Sequence, residues 1–184
     1  MPELVYADSD IRYFAKDYPK IPFTFLNTGD LAAGQIVGLK EDGYADAVRR
    51  TTLTAQADAA ATQLSVEDAS LFKVGDTVAL MKADGTVVED LGAITAVDEV
   101  GNTITVTTAV TEVHAIGSYV YVADGTEKAL AILAEPVVDE GEAVVANVYL
   151  GGAFEEEVIK GLDAVSRADL GARTVAGILI VPGC

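Results

Sequence analysis

The sequence of 184 residues is poor in the side chains that most often carry catalysis, and this narrows its possible functions. It contains one histidine, His114, one cysteine, Cys184, and no tryptophan. A single cysteine excludes an intramolecular disulfide, and a single histidine excludes a metal site built from several histidines. A Ser-His-Asp triad would require His114, and the nearby Ser118 has no supporting motif. We therefore expect a protein that is not an enzyme, with no catalytic, cofactor-binding or metal-binding residues.

Basic residues are scarce as well. The sequence contains 12 Lys and Arg against 29 Asp and Glu, which gives a net charge of −17. Such a surface repels phosphate backbones and anionic lipids, so neither nucleic acid nor a membrane is an expected partner. No apolar run approaches the roughly 18–20 residues that a membrane-spanning helix needs. The amino-terminal segment also lacks the apolar core of a signal peptide. A strongly acidic surface can instead complement a basic region of another protein.

The first 24 residues are rich in aromatic side chains and are interrupted by prolines. Tyr13, Phe14, Tyr18 and Phe23 lie in this segment. Proline disfavours both helix interiors and central strands. We interpret residues 1–24 as an extended arm. Its aromatic side chains would pack either on another chain or back on the arm's own domain, and the sequence leaves both alternatives open.

Short apolar segments and tight turns dominate the rest of the chain. Glycine supplies the positive φ that tight hairpin turns require, so Asp-Gly pairs mark strand ends. Residues 154–165 are the best helix candidate because their acidic side chains fall in the first turn, and residues 166–173 could add another turn. The sequence predicts a mainly β fold with one or two short helices. Segments that end in Asp-Gly are 34–43, 74–85 and 117–125.

The strand pattern also predicts a domain inserted within another domain. Residues 51–122 form a self-contained series of short strands, whereas residues 25–50 and 123–184 each look incomplete alone. An insertion at a loop whose ends lie close together is well tolerated. We therefore predict a discontinuous domain that is interrupted by a small β-barrel-like domain.

Four segments of the discontinuous domain follow one another in an order of turns and strands that is found in a known protein family. A DGT turn leads into an apolar strand, a second strand ends in Gly-x-Phe, and an acidic helix start and a final apolar strand follow. An earlier hairpin precedes the insertion. This order resembles the head-decoration protein D family of lambda-like tailed bacteriophages, in which the hairpin normally runs quickly into the DGT turn. The segments are LNTGDLAAGQIVGLKEDG (26–43), ADGTEKALAILAEPV (123–137), VVANVYLGGAFEEEVI (144–159) and ARTVAGILIV (172–181).

The resemblance implies a β-tulip fold and a structural function. Members of the family bind the outside of the expanded capsid as homotrimers and stabilise it against internal DNA pressure. The partner would be the major capsid protein, and the location would be the virion surface after synthesis in the host cytoplasm. The family's arm pairs with a capsid-protein strand, so Tyr13, Phe14, Tyr18 and Phe23 would contact the capsid. An extended segment can add to an exposed sheet edge in this way.

A second hypothesis is a virion-surface binding module, in which the inserted domain recognises a host glycan or protein. Glycan sites usually contain exposed aromatic rings, and the insertion offers Phe72, Tyr119 and Tyr121. A third hypothesis, a small enzyme that uses acidic residues, is opposed by the missing catalytic constellation.

Overall fold

The computed structural model describes residues 20–84, 88–171 and 178–181. The chain divides into two compact units. Unit 1 comprises residues 1–48 and 128–184, and unit 2 comprises residues 49–127. The strand pattern predicted the insertion at residues 51–122. The prediction of a mainly β protein with a small barrel-like domain is confirmed.

Strands account for most of the regular structure in the described residues, together with one turn of 3-10 helix in each unit. The helix α1 is Ala164–Gly171. The strands, in chain order, are β1 (Lys20–Phe25), β2 (Ile36–Leu39), β3 (Ala45–Ala47), β4 (Arg50–Thr52), β5 (Gln63–Ser65), β6 (Thr77–Met81), β7 (Val88–Asp98), β8 (Thr103–Val106), β9 (Tyr119–Val122), β10 (Ala131–Leu133), β11 (Val144–Tyr149), β12 (Gly152–Glu155) and β13 (Ile178–Val181).

Unit 1 contains a closed five-stranded barrel with the strand order β1-β11-β10-β2-β3. Neighbouring pairs are antiparallel, except that β3 returns to β1 through the parallel pair Phe25 and Ala45. Alternation along β11 directs Val144, Ala146 and Val148 towards the barrel interior, while Val145 is exposed. The buried residues of the barrel interior are Phe25, Val37, Ala45, Ala131, Leu133, Val137, Ala146 and Val148.

A second layer covers one side of the barrel. The parallel pair of β12 and β13 and the helix α1 bring Phe154, Leu170 and Ile178 against Ile132 and Tyr149. The rings of Tyr149 and Phe154 lie 5.3 Å apart between centroids at an interplanar angle of 58°. Strand β10 is therefore buried on both faces, which explains why its sequence is a continuous apolar run rather than an alternating one.

The first predicted helical segment, residues 154–165 or part of it, is not regular helix before Ala164, whereas α1 contains residues 166–171 of the second predicted segment, 166–173. The segment starts in β12 and continues as a single 3-10 turn at Glu156–Val158. Gly161 then adopts a φ of +77°, which a right-handed helix does not allow. Asp163 caps α1, since its carboxylate accepts a hydrogen bond from the Ser166 N–H at 2.6 Å.

Unit 2 is a six-stranded sheet with the order β4-β9-β6-β7-β8-β5. The sheet curls until its two edge strands meet. The Thr54 N–H donates to the Ser65 carbonyl at 3.0 Å, and the Glu67 N–H donates to the Thr52 carbonyl at 2.9 Å. The interior is apolar. Its buried residues are Leu53, Ala57, Leu64, Val66, Ala69, Phe72, Val78, Leu80, Leu91, Ile94, Ile104, Val106, Val110, Val120 and Val122.

The two ends of unit 2 lie side by side. Arg50 in β4 pairs with Tyr121 in β9, and the Val122 N–H donates to the Arg49 carbonyl at 3.1 Å. Arg49 forms an ion pair with Asp76 at 2.6 Å, and the Arg50 guanidinium donates to the Glu127 carbonyl. These bonds join the segment that enters unit 2 to the segment that leaves it.

Candidate interaction surfaces

The four aromatic residues assigned to the arm do not share one environment. Tyr13, Phe14 and Tyr18 lie outside the described residues. Phe23 lies in β1, opposite Ala146 in β11, and its ring packs against the apolar interior of the barrel. The prediction of an extended arm through residue 24 is therefore wrong for residues 20–24, which form a barrel strand.

The position of Pro22 explains why this strand tolerates a proline. Pro22 lies opposite Asn147. The Asn147 carbonyl accepts from the Ala134 N–H at 2.9 Å, and the Asn147 N–H donates to the Glu135 carboxylate at 2.7 Å, so both groups point away from β1. Pro22 and Asn147 are thus a non-hydrogen-bonded antiparallel pair, and the missing N–H of Pro22 leaves the ladder between β1 and β11 intact.

The outer edge of β1 is the first candidate interaction surface. Alternation of the antiparallel ladder directs the backbone groups of Lys20 and Pro22 away from β11. Within the described part of the chain, β1 meets another strand on that side only through the pair Phe25 and Ala45. Carbonyl groups at an edge of this kind can accept hydrogen bonds from an added strand, although the proline removes one donor.

Exposed aliphatic side chains lie close to this edge. Val145 lies opposite Thr24 on the outside of the barrel, and 64% of its surface is exposed. We refer to the outer edge of β1 together with Val145 as the β1 edge surface. The open backbone groups of β1 make this edge a candidate interface, and Val145 lies beside them.

The second candidate surface lies on unit 2 and includes a half-buried carboxylate. Glu89 in β7 accepts hydrogen bonds from the Thr111 N–H and from the Nε2 of His114, the latter at 3.0 Å. Burial raises the pKa of Glu89, but the hydrogen bonds from Thr111, His114 and Glu112 outweigh burial and hold the pKa below its usual value. The charged form of Glu89 therefore fastens the segment 111–114 to the sheet.

His114, the histidine considered for catalysis, is fully buried. Its backbone exchanges two hydrogen bonds of 2.9 Å with Ala57, and its Nε2 is occupied by Glu89. A side chain in this position holds the loop in place and does not face solvent. Ser118, four residues further on, is buried as well.

The fastened loop forms one wall of a small cavity. Its volume is about 280 Å³, and it lies between the turn at residues 82–84 and the loop at residues 111–117. Val113 and Ile116 line the cavity and are 52% and 67% exposed. No pattern in the sequence predicted this cavity. We refer to the cavity and its walls as the unit 2 cleft, which is lined by Lys82, Ala83, Asp84, Val113, Ala115, Ile116 and Ser118.

The aromatic residues of unit 2 do not form an exposed platform. Phe72 and Tyr121 are buried, and Tyr119 is half-buried beneath the Arg50 guanidinium, which lies 5.9 Å from the ring centroid. Burial and the nearby Glu127 carboxylate raise the pKa of Tyr121. These rings stabilise unit 2 and are not placed to stack on a sugar.

In residues 20–84, 88–171 and 178–181, no three His, Cys, Asp or Glu side chains are grouped in a way that could hold a metal ion. The same residues include no helix with the length and apolar character required to cross a membrane. Comparison with protein-family models, with curated proteins and with solved structures found no match.

Proposed function

We propose that this chain is a structural protein that decorates the outside of a phage capsid as a homotrimer and stabilises the expanded shell. Its partner is the major capsid protein, and it performs no catalysis. The sequence resemblance to the head-decoration protein D family supports this proposal. Most of the resembling residues belong to unit 1, where they contribute β2, β10, β11, β12 and β13, whereas residues 123–127 of the DGT segment belong to unit 2.

The observation that carries the proposal is the β1 edge surface. Residues 1–19 lead directly into β1, so a segment that pairs with a capsid strand would be continuous with an existing barrel strand. Backbone pairing at a sheet edge supplies affinity with little dependence on side chains. The arm in this proposal is shortened to residues 1–19 and retains Tyr13, Phe14 and Tyr18, whereas Phe23 belongs to the barrel.

The test is co-sedimentation with empty shells assembled from the cognate major capsid protein, before and after expansion. We expect the full chain to bind expanded shells and not unexpanded ones, and a variant of residues 20–184 to lose most of this binding. The variant Val100→Asp, which alters a fully exposed hairpin tip in unit 2, should bind like the unaltered protein. Failure of the full chain to bind either shell would refute the decoration function. Full binding by residues 20–184 would refute the role of the arm alone.

The homotrimer has its own test. We place Val145 in the trimer contact because it is an exposed aliphatic side chain beside the β1 edge. Sedimentation velocity should show a trimer for the unaltered chain, and Val145→Asp should shift the population towards monomer. A monomer at the high local concentrations of a capsid surface, both free and on shells, would contradict the trimer.

A binding module remains the alternative function, and the unit 2 cleft is the observation that favours it. Of the two host ligands considered for such a module, the burial of Phe72 and Tyr121 argues against a glycan. A protein segment fits better, because the cleft is mainly aliphatic.

A further inference from the structure

The geometry points to a docking site in the unit 2 cleft for an extended peptide segment that combines aliphatic and basic side chains. The site consists of the turn at residues 82–84 and the loop at residues 111–117. It does not rest on the decoration function, because every residue that builds it belongs to unit 2.

The cleft has the size and the apolar lining of a small binding site. Ligand pockets range from about 300 to 1,000 Å³, and the volume of about 280 Å³ here lies just below that range. The space suits one or two aliphatic side chains better than a larger organic ligand. Val113 and Ile116, in the loop, are exposed on the rim of the cleft. The valine and leucine side chains of the neighbouring strands β6 and β9 are buried in the core of unit 2. Exposed aliphatic side chains grouped around a concavity are typical of protein interaction sites.

Hydrogen bonds hold the loop at residues 111–117 in place before any ligand binds. Glu89 holds Thr111 and His114, and the Gly117 N–H donates to the Leu53 carbonyl at 2.9 Å. The Ser118 N–H closes the turn on the Ala115 carbonyl at 3.1 Å. A rigid loop loses little conformational entropy on binding, so even a small apolar contact can yield measurable affinity.

The cleft lies on a unit in which acidic side chains outnumber basic ones. Residues 49–127 contain 12 acidic and four basic side chains. Near the cleft, Asp84 and Glu112 supply negative charge, and Lys82 forms an ion pair with Glu112 at 3.5 Å. A second copy of unit 2 would present the same excess of acidic side chains to the cleft, which disfavours that unit as the occupant. A segment in which lysine or arginine alternates with valine or leucine would complement both the aliphatic walls and the acidic surroundings.

The experiment is a titration of the full, isotopically labelled chain, followed by amide chemical shifts. The probe is a capped hexapeptide of alternating lysine and valine. One comparison peptide replaces every valine with serine, and another replaces every lysine with glutamate. We expect the lysine-valine peptide to shift the amides of residues 82–84 and 111–118. The two comparison peptides should bind at least tenfold more weakly.

Paired variants separate docking from general attraction between opposite charges. Val113→Asp/Ile116→Asp adds two negative charges at the cleft. Val74→Asp/Val100→Asp adds the same two charges at side chains that are 67% and 98% exposed and lie outside the cleft. If the peptide docks in the cleft, the first variant weakens binding at least tenfold despite its added charge, and the second does not.

The proposal is overturned if the cleft variant binds the peptide as tightly as the unaltered chain, or if the lysine-serine peptide binds equally well. Either result would show that net charge alone attracts the probe. Amide spectra of the free variants check that they fold. If the cleft variant does not fold, the single substitution Ile116→Ser, which removes the more exposed aliphatic side chain without adding charge, replaces it with the same expected loss.

Discussion

Replacing Glu89 tests how unit 2 holds the loop at residues 111–117, because the Glu89 carboxylate accepts hydrogen bonds from Thr111 and His114. In Glu89→Gln, the amide oxygen can still accept from the Thr111 N–H, and the amide nitrogen then faces His114 Nε2. If Nε2 carries a proton, two donors face each other. If the proton moves to Nδ1, that nitrogen has no hydrogen-bond partner among the described residues. Either arrangement leaves one buried donor without an acceptor, which costs about 1–3 kcal/mol.

The loss of charge adds to this cost. A hydrogen bond to a charged acceptor is worth about 1.5–3 kcal/mol, against about 0.5–1.5 kcal/mol for a neutral one. The Thr111 bond therefore loses roughly 1 kcal/mol, and the total destabilisation is about 2–4 kcal/mol. Hydrogen exchange at core amides of unit 2, such as Leu80 and Ile104, measures its opening. Exchange should accelerate roughly 30- to 900-fold, because each 1.36 kcal/mol corresponds to a factor of ten.

The dependence on pH distinguishes this explanation from a steric one. Because the pKa of Glu89 is lower in the folded protein than in the unfolded chain, its contribution is fully present above the unfolded pKa, near 4.5. The contribution is lost as the pH falls through the folded pKa. The difference between the unaltered chain and Glu89→Gln should therefore shrink between pH 5 and pH 3. A difference that stays constant over this range would refute the electrostatic explanation.

A neighbouring glutamate serves as the control. Glu112 is exposed and pairs with Lys82 at the surface, so Glu112→Gln should change the free energy of unfolding by less than about 1 kcal/mol at any pH. A comparable loss in both variants would indicate that general charge, rather than the bonds of Glu89, stabilises unit 2.

Two further substitutions test the placement of single residues. Phe23→Ala should destabilise unit 1 by about 1.5–2.5 kcal/mol in urea unfolding, roughly half the cost for a fully buried ring. Unchanged stability together with lost shell binding would show that Phe23 belongs to the arm. Gly92→Ala should cost more than Gly75→Ala in the same assay, although both glycines have positive φ. A Cβ at Gly92 would lie 2.4 Å from Thr107 Oγ1, whereas nothing lies within 4 Å at Gly75. Equal losses would show that the backbone conformation alone sets the cost.

The correct predictions from the sequence concern features that depend on residues adjacent along the chain. The turns at Gly43 and Gly125 have φ of +87° and +102°, as the Asp-Gly pairs indicate. The apolar run from Ala129 to Ala134 contains a buried strand because both faces of β10 are covered. In each case a few adjacent side chains determine the local conformation, so the pattern is readable without knowledge of the fold.

The errors concern features that depend on distant residues. The presence of Pro22 predicted that residues 20–24 would not form a packed strand. A proline disrupts a strand only where its N–H would donate to the neighbouring strand, and the hydrogen bonds of Asn147 show that position 22 does not donate to β11. The unit 2 cleft had no sequence signal. Val113 and Ile116 resemble core residues in a chain that is 51% hydrophobic. They are exposed because Glu89, more than 20 residues earlier, holds their loop at the surface.

The discontinuity of unit 1 leads to a last prediction. Because Arg50 pairs with Tyr121 and its guanidinium donates to the Glu127 carbonyl, folded unit 2 holds its own two ends together as a short linker would. Unfolding unit 2 alone would turn it into a flexible loop of about 80 residues. Compared with a loop of about five residues, closure would cost about 2.5 kcal/mol more, from (3/2)RT ln n.

Replacing the buried Ile104 with Asp should unfold unit 2 and impose this cost on unit 1. Hydrogen exchange at Ile132 and Val148 in the barrel should then accelerate roughly 70-fold, since 2.5 kcal/mol corresponds to that factor. A variant in which five glycine and serine residues replace residues 49–127 should restore slow exchange, because the connection is short again. If this deletion variant exchanges as fast as Ile104→Asp, unit 2 does not stabilise the barrel by shortening the connection, and the entropic explanation fails.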